Sequence, residues 1–361
     1  MSSYGIAAST RLSDAQAGQL RGLRVSAELE FRSHAYLLGN SHNQLRSAHH
    51  RSGAGANVLV VRRSYQPETI PAQFVTLDDR FAGTGGDRWM TRAFSQGRWL
   101  EGPAYHAAGR FVLFSDIPND RVLRYDEVAG ETTEFEPRIG FTNGRTTDAQ
   151  SRFIACEHGG RRVTRTEHDG SKIVLADNFE GKRLNSPNDV VVAADGAVWF
   201  TDPSYGIMSD YEGHAAAEEI GSRNVYRLGP DGELSVVVDD FTQPNGLAFS
   251  ADFSKLYVTD TDEHHIRLFD VDGAEVSGGE VFAAEPTGYD GIRLDTRGRL
   301  WGAAHDGLHC YEPDGTLSGK LLVPEIVSNL CFGGRQLNQL YVTATTSLYT
   351  LRVNFVGVRY F

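Results

Sequence analysis

The segment NGLAFSADFSKLYVTD, residues 245–260, contains a short apolar strand, a tight turn and a second strand rich in Leu, Tyr and Val. The same arrangement occurs six times, and successive copies start 39 to 57 residues apart. The other copies are EGPAYHAAGRFVLFSD (101–116), NGRTTDAQSRFIACEH (143–158), NDVVVAADGAVWFTD (188–202), DGIRLDTRGRLWGAAH (290–305) and NLCFGGRQLNQLYVTA (329–344). A period of about 40–45 residues with about four strands is typical of a propeller blade.

Six copies predict an all-β fold, a six-bladed β-propeller, whereas a β-sandwich would not explain so regular a repeat. The insert SYGIMSDYEGHAAAEEIG (204–221) occupies the longest interval and is predicted to form a loop on one face. An open ring would leave two unpaired edges, so the ring needs closure. We predict that FVTLDDRF (74–81) and the stretch up to Trp99 supply an outer strand that pairs with LYTLRV (348–353) of the last blade.

The region before the repeats has a different composition. Residues 1–70 are rich in Arg, Ser, Ala and His and have weak periodicity, which predicts a flexible N-terminal extension. Residues 71–361 consist of short β-rich runs separated by turn residues, and we predict that they form the propeller domain.

The chain has 361 residues, with 35 Lys and Arg against 47 Asp and Glu and a formal net charge of −12. This acidic balance argues against nucleic acid or an anionic membrane as a partner, because both require a basic face. No apolar run has the length of a membrane span, and the first residues lack a signal-peptide pattern. Cys156, Cys310 and Cys331 lie singly in apolar runs, which predicts buried reduced thiols and a cytoplasmic protein.

Each repeat starts with a polar residue, and the innermost strand of a blade starts at one mouth of the central channel. Six side chains are therefore expected to converge there: Glu101, Asn143, Asn188, Asn245, Asp290 and Asn329. Two carboxylates at short range cannot both stay ionised unaided. A divalent cation held by oxygen ligands removes that repulsion, and such ligands suit Ca²⁺, Mg²⁺ or Mn²⁺. We predict a central metal site formed by Glu101, Asn188, Asn245 and Asp290.

Two alternatives qualify this prediction at the level of single residues. The Asn-Gly pairs at 143–144 and 245–246 are also explained by tight turns, which favour that dipeptide. The second strand of each hairpin returns to the same mouth, where Asp116, Asp202 and Asp260 are expected to accept hydrogen bonds from loop backbone groups. His158 and His305 stand at the same place and are predicted either to contact a substrate or to be satisfied polar residues of the channel wall.

Several segments together resemble a known family. They are LEGPAY (100–105), LNSPNDVVV (184–192), WFTDPSYGI (199–207), PNGLAFS (244–250) and YDGIRLD (289–295), and they are similar to the SMP-30/gluconolactonase/LRE family, most of all to its bacterial gluconolactonase-type members. The resemblance implies a six-bladed propeller that hydrolyses sugar lactones with a central divalent metal, most commonly Ca²⁺, with Zn²⁺ accepted by some members. It places the family's metal ligands on Glu101, Asn188, Asn245 and Asp290, and makes Asp290 the proton donor and acceptor.

The expected reaction is hydrolysis of an aldonolactone such as D-glucono-1,5-lactone to the open acid. The metal is expected to polarise the lactone carbonyl while Asp290 takes a proton from the attacking water. Asn143, His158, Tyr205 and His305 are the predicted substrate contacts. Two alternatives remain open at this point: an esterase or phosphotriesterase that uses the same site, and a non-catalytic metal-binding scaffold.

Overall fold

The repeats fold as antiparallel hairpins that form the two innermost strands of six sheets, in a computed structural model that describes residues 67–360. Three strands precede the first repeat: β1 (Glu68–Pro71), β2 (Gln73–Thr76) and β3 (Trp89–Phe94). A short 3-10 helix, Asp79–Phe81, lies between β2 and β3. The predicted extension of residues 1–70 lies outside the described residues, apart from its last four.

Each blade is an antiparallel sheet, and in blades 1–4 all the strands follow one another along the chain. Blades 1 and 2 contain β4 (Leu100–His106), β5 (Phe111–Asp116), β6 (Arg121–Asp126), β7 (Glu131–Pro137), β8 (Thr142–Thr147), β9 (Phe153–Glu157), β10 (Arg162–Thr166) and β11 (Lys172–Ala176). A 3-10 helix (Ile117–Asn119) follows β5, and a small hairpin after blade 2 contains β12 (Asn178–Phe179) and β13 (Lys182–Arg183).

The remaining four blades repeat this order. Blade 3 contains β14 (Val190–Val192), β15 (Val198–Thr201), β16 (Val225–Leu228) and β17 (Leu234–Val238), with the helix α1 (Tyr205–Met208) after β15. Blade 4 contains β18 (Pro244–Phe249), β19 (Lys255–Asp260), β20 (His265–Asp272) and β21 (Glu275–Ala284). Blades 5 and 6 contain β22 (Ile292–Leu294), β23 (Leu300–Ala304), β24 (Gly307–Tyr311), β25 (Leu317–Leu322), β26 (Val327–Gly333), β27 (Gln339–Ala344) and β28 (Ser347–Arg352). The all-β, six-bladed propeller is confirmed.

The ring is closed by strands from the start of the described chain. Strand β3 pairs with β28, and β1 pairs with β3, so the last blade contains strands from both ends of the domain. Closure through the stretch before Trp99 is therefore confirmed. The run at 74–81 behaves differently, because β2 pairs with β25 of blade 5 rather than with the last blade. The reason is apolar packing, since Phe81 is buried with its ring centroid 6.0 Å from that of Trp301 in blade 5.

The core lies between neighbouring sheets and is formed by the apolar residues of their strands. Trp199 of blade 3 and Phe249 of blade 4 meet edge to face at 5.4 Å between ring centroids. All three cysteines are buried and free, as predicted. None of the helical segments within residues 67–360 has the length and apolar content that crossing a membrane requires.

The segment after β28 crosses the face of the propeller opposite the repeat starts. Phe355 stacks on Trp301 at 4.3 Å between ring centroids, and the Val358 amide donates to the Leu294 carbonyl at 3.1 Å. The Tyr360 hydroxyl then donates to the Phe249 carbonyl at 2.6 Å. This C-terminal segment therefore runs from blade 6 past blade 5 to blade 4.

Candidate functional site

Glycines that directly follow the first polar residue of a repeat allow neighbouring innermost strands to come unusually close together. A Cβ at Gly144 would lie 2.4 Å from the Asn188 carbonyl oxygen, and one at Gly246 would lie 2.4 Å from the Asp290 carbonyl oxygen. Both Asn-Gly pairs lie inside strands, β8 and β18, and not in turns. The tight-turn alternative is therefore wrong for these pairs, because the glycine is required by the approach of the next blade's backbone.

The first strands of three blades are also irregular at the polar residue. The pairing register shifts between Glu101 and Ala104 in β4, between Thr142 and Arg145 in β8, and between Pro244 and Leu247 in β18. Such bulges change the direction in which a side chain points and are common beside active sites. Hydroxyl groups from the second strand of the preceding blade fix the backbone here, namely Ser115 to the Asn143 carbonyl (2.8 Å), Thr201 to the Asn245 carbonyl (2.7 Å) and Thr259 to the Asp290 carbonyl (3.0 Å).

A cavity of about 220 Å³ lies at this mouth of the channel, which we call the near mouth. All four predicted metal ligands and all but one of the predicted substrate contacts line it: Glu101, Asn143, Asn188, Tyr205, Asn245, Asp290 and His305. The exception is His158. These seven residues come from five of the six blades, and the fold brings them to one cavity as the repeat predicts.

Burial and neighbouring negative charges strongly perturb Glu101 and Asp290 at the near mouth. Glu101 is 3% exposed, and burial raises its pKa to about 7, with the charges of Asp189 and Glu212 adding to the shift. Burial, followed by the charge of Glu101, raises the pKa of Asp290 well above its ordinary value. The two groups cannot both be ionised here without a compensating positive charge.

The donor set at the near mouth fits a hard divalent cation. The Asn188 side chain forms no hydrogen bond with any residue in 67–360, and Asn245 uses its Nδ2 to donate to Thr261 at 3.0 Å, which leaves its Oδ1 available. One oxygen of Glu101 accepts from the Gly102 amide and from Asn329. Within residues 67–360 no group of three or more His, Cys, Asp or Glu side chains has metal-binding geometry. The metal site therefore stays a prediction, based on two carboxylates and two amides.

His158 lies behind the cavity wall and not in it. It is fully buried, and a carbonyl oxygen can only accept, so its Nδ1 donates to the Glu212 carbonyl at 3.2 Å. Its Nε2 then accepts from Asn143 Nδ2 at 3.1 Å. Burial lowers the pKa of His158 to about 4, which keeps the ring neutral. This geometry agrees with the prediction that His158 is a satisfied polar residue of the channel wall, and it places Asn143 between His158 and the cavity.

Two features of the near mouth could not be found from the repeats. Glu212 lines the cavity, although it belongs to the insert at 204–221 and has no counterpart in other blades. Burial raises the pKa of Glu212 to about 7. The second feature is the Oδ1 atom of Asn143, which is buried without a hydrogen-bond partner among the described residues. The only signal for Glu212 in the sequence was the length of the insert, which places additional residues over one face.

Comparison with known proteins identifies the fold family. Residues 99–346 match the SMP-30/gluconolactonase/LRE-like region. The chain belongs to this family. A gluconolactonase of Zymomonas mobilis is 30% identical over 287 residues, which cover 72% of this chain and 80% of that protein. A pentonolactonase of Haloferax volcanii is 29% identical over 256 residues, covering 67% of this chain and 80% of that protein. The solved structure of a gluconolactonase from Xanthomonas campestris, 36% identical, covers 81% of this chain and 99% of its own with a TM-score of 0.75.

In this SMP-30/gluconolactonase/LRE-like chain, the aspartates at the ends of the second strands support loops, as predicted. Asp116 accepts from the Arg98 amide at 3.0 Å, and Asp202 accepts from the Asn185 amide at 2.8 Å. Asp260 accepts from the amides of Thr242 and Gln243 at 2.7 and 3.0 Å. These aspartates hold the loops that surround the near mouth.

Proposed function

We propose that this protein is a lactonase that hydrolyses sugar lactones of the D-glucono-1,5-lactone type to the open acids. The observation that carries the proposal is the pair of carboxyl groups, Glu101 and Asp290, in the wall of a cavity that also contains amide and hydroxyl groups. Its membership in a family with gluconolactonase and pentonolactonase relatives supports the same reaction class.

We further propose that Glu101, Asn188, Asn245 and Asp290 hold one divalent cation. Ca²⁺ is the favoured ion because all four ligands are oxygen donors, and Mg²⁺, Mn²⁺ and Zn²⁺ are the alternatives to test. Two carboxylates balance a charge of 2+, which offsets the burial and the neighbouring negative charges that raise both pKa values. When bound, such an ion supplies Lewis-acid polarisation of an ester carbonyl.

Asp290 is the proposed proton-transfer group. Its carboxylate takes a proton from the water that attacks the lactone carbonyl carbon. The bond between that carbon and the ring oxygen then breaks, and the same carboxyl group returns the proton to the departing oxygen. The product is the open acid with a free hydroxyl group, so water is the only co-reactant consumed.

The other residues of the near mouth are proposed to hold the sugar hydroxyl groups. Asn143 offers an Oδ1 that has no partner among the described residues, and a hydroxyl donor would satisfy it. Tyr205 and His305 line the same cavity and offer further polar groups. Glu212 adds a carboxyl group from the insert, which suits a hydroxyl donor of the substrate.

A lactone panel assayed on metal-stripped protein tests the proposal. Ca²⁺, Zn²⁺, Mn²⁺ and Mg²⁺ are added back singly, and spontaneous lactone opening is subtracted with a protein-free control. We expect hydrolysis of aldonolactones that depends on one of these ions. Absence of ion-dependent hydrolysis for every lactone would contradict the proposal. Hydrolysis of aryl esters or phosphotriesters without any lactone hydrolysis would instead support the esterase alternative.

A further inference from the structure

A second cavity, of about 240 Å³, lies at the opposite end of the channel, which we call the far mouth. Its lining residues follow the near-mouth residues along the same innermost strands, as Arg145 follows Asn143 in β8. Val358, Arg359 and Tyr360 of the C-terminal segment form part of its wall. The two cavities therefore share strands but not residues.

The far mouth has an excess of positive charge. Three arginines line it, Arg145, Arg293 and Arg359, against one acidic residue, Asp148. Asp148 is already neutralised, because it accepts from Arg152 Nε at 2.8 Å and from two backbone amides. This balance is the reverse of the whole chain, whose formal net charge is −12.

Arg145 is a buried cation with few partners in the surrounding protein. It is 2% exposed, and its guanidinium donates one hydrogen bond, from Nη1 to the Gly102 carbonyl at 3.2 Å. No carboxylate within residues 67–360 forms an ion pair with it, whereas Arg293 pairs with Asp189 at 3.2 Å. Burial lowers the pKa of Arg145 to about 10, so the group remains a cation at neutral pH. A buried charge without a partner is costly unless something else neutralises it.

We propose that the far mouth is an anion-binding site in which Arg145 binds a small oxyanion, a carboxylate or a phosphate. A guanidinium matches the planar arrangement of two carboxylate or phosphate oxygens. Thr146 and Thr147 line the same cavity and offer hydroxyl groups, and Arg359 adds a second cation with no ion pair among the described residues. The volume suits a small ligand, since cavities for drug-sized molecules start at roughly 300 Å³. This site does not depend on the lactonase proposal.

Thermal melting of the full-length, metal-stripped protein tests the proposal with three probes, which are inorganic phosphate, acetate and gluconate. Sorbitol is the neutral control for gluconate. We expect Tm to rise by about 3 °C when an anion is present at about ten times its Kd, because ligands that bind only the folded state stabilise it. Comparison of the probes shows whether carboxylate or phosphate is preferred.

Arg145→Met removes the cation and keeps a long apolar side chain. We expect this variant to lose the anion-dependent rise in Tm, while Arg297→Gln, at an exposed arginine outside the cavity, keeps it. No Tm rise in the wild type with any of the three anions would overturn the proposal. An equal rise in Arg145→Met and wild type would overturn it as well.

Two further variants keep the test valid if Arg145→Met fails to fold. Arg145→Lys retains the charge without the fork of the guanidinium, and Arg359→Gln changes an exposed side chain. We expect each to weaken anion binding by about 3–10-fold in calorimetric titration, because each removes part of a charge-assisted contact. Unchanged affinity in both variants would show that the far mouth does not bind the anion.

Discussion

The near and far mouths of the channel are built by the same innermost strands, yet their chemistry is opposite. The near mouth contains Glu101, Glu212 and Asp290, and burial raises the pKa of all three, with the charges of Glu101 and Glu212 adding to the shift of Asp290. At the far mouth, by contrast, Arg145 has no carboxylate partner among the described residues. Within β8 the change takes two residues, from Asn143 to Arg145, a distance of about 7 Å along a strand.

This difference shows what determines function in a propeller of this kind. Position along the innermost strand, and not the identity of the blade, decides which mouth a side chain serves. Each mouth can then be changed separately, because no residue lines both cavities. The following predictions use that separation.

Asp290→Asn should have the largest effect on the near mouth. The substitution keeps the shape and one oxygen ligand but removes the proton-transfer group, so we expect kcat/KM for lactone hydrolysis to fall ~10²–10⁴-fold. Steady-state kinetics at saturating metal measure this. Arg359→Gln at the far mouth is the matched control and should retain kcat/KM within about twofold. A variant as fast as wild type would show that Asp290 is not the base.

Glu101→Gln should weaken metal binding at the near mouth by at least about 10-fold, because it removes half of the negative charge of the proposed ligands. Calorimetric titration of metal-stripped protein measures the affinity. Asp148→Asn changes the only acidic residue of the far-mouth lining and should leave the metal affinity unchanged. Equal affinity in Glu101→Gln and wild type would exclude Glu101 from the ligand set.

The positions of Glu101 and Asp290 were predictable from the sequence because both are the first residue of a repeat. Glu101 and Asp290 occupy the same position in different copies, and the propeller geometry then requires them to converge. Glu212 lies outside the repeats, in an insert whose course over the propeller depends on tertiary packing. Its place in the cavity was therefore not predictable from the repeat. The pairing of β2 with blade 5 likewise depends on where Phe81 packs, and edge-strand pairing leaves no periodic signal in the sequence.

The sequence alone could not show why Gly follows Asn at 143–144 and 245–246. The same dipeptide suits a tight turn and a close approach of two backbones, and only the distance between neighbouring blades separates the two. The sequence also could not show how deeply His158 is buried. Its position at the end of a second strand predicts that it lies at the near mouth, but the Asn143 side chain lies between it and the cavity.

Gly144→Ala tests the close packing that holds both mouths together. Its Cβ would lie 2.4 Å from the backbone oxygen of Asn188, and the strands must separate to accept it. We expect a loss of about 1–3 kcal/mol in the free energy of unfolding, seen as a lower Tm. Gly85→Ala is the control, because its Cβ would meet Phe74 at an ordinary 3.7 Å. Equal Tm values for the two variants would contradict the close approach.

His158→Ala should have the smallest effect on activity. The experiment compares His158, beside the near mouth, with His106 at the far mouth. His158 orients Asn143 without touching the cavity, so its loss should lower kcat/KM about 5-fold and leave metal affinity unchanged. His158→Gln should restore part of the activity, since its amide oxygen can accept from Asn143 Nδ2. His106→Ala at the far mouth is the control and should leave kcat/KM unchanged.

The pH dependence of stability gives this last prediction a second readout. The folded pKa of His158, about 4, lies below the ordinary 6.5, so the unfolded chain binds the proton more readily in between. His158 therefore makes the wild type lose stability as pH falls from 6.5 towards 4, and this loss should be smaller in His158→Gln. Unfolding by urea at pH 7 and pH 5 measures the difference. If the variant and wild type lose equal stability, the ring is not held neutral, and its hydrogen bond from Asn143 cannot be the contact that orients the near mouth.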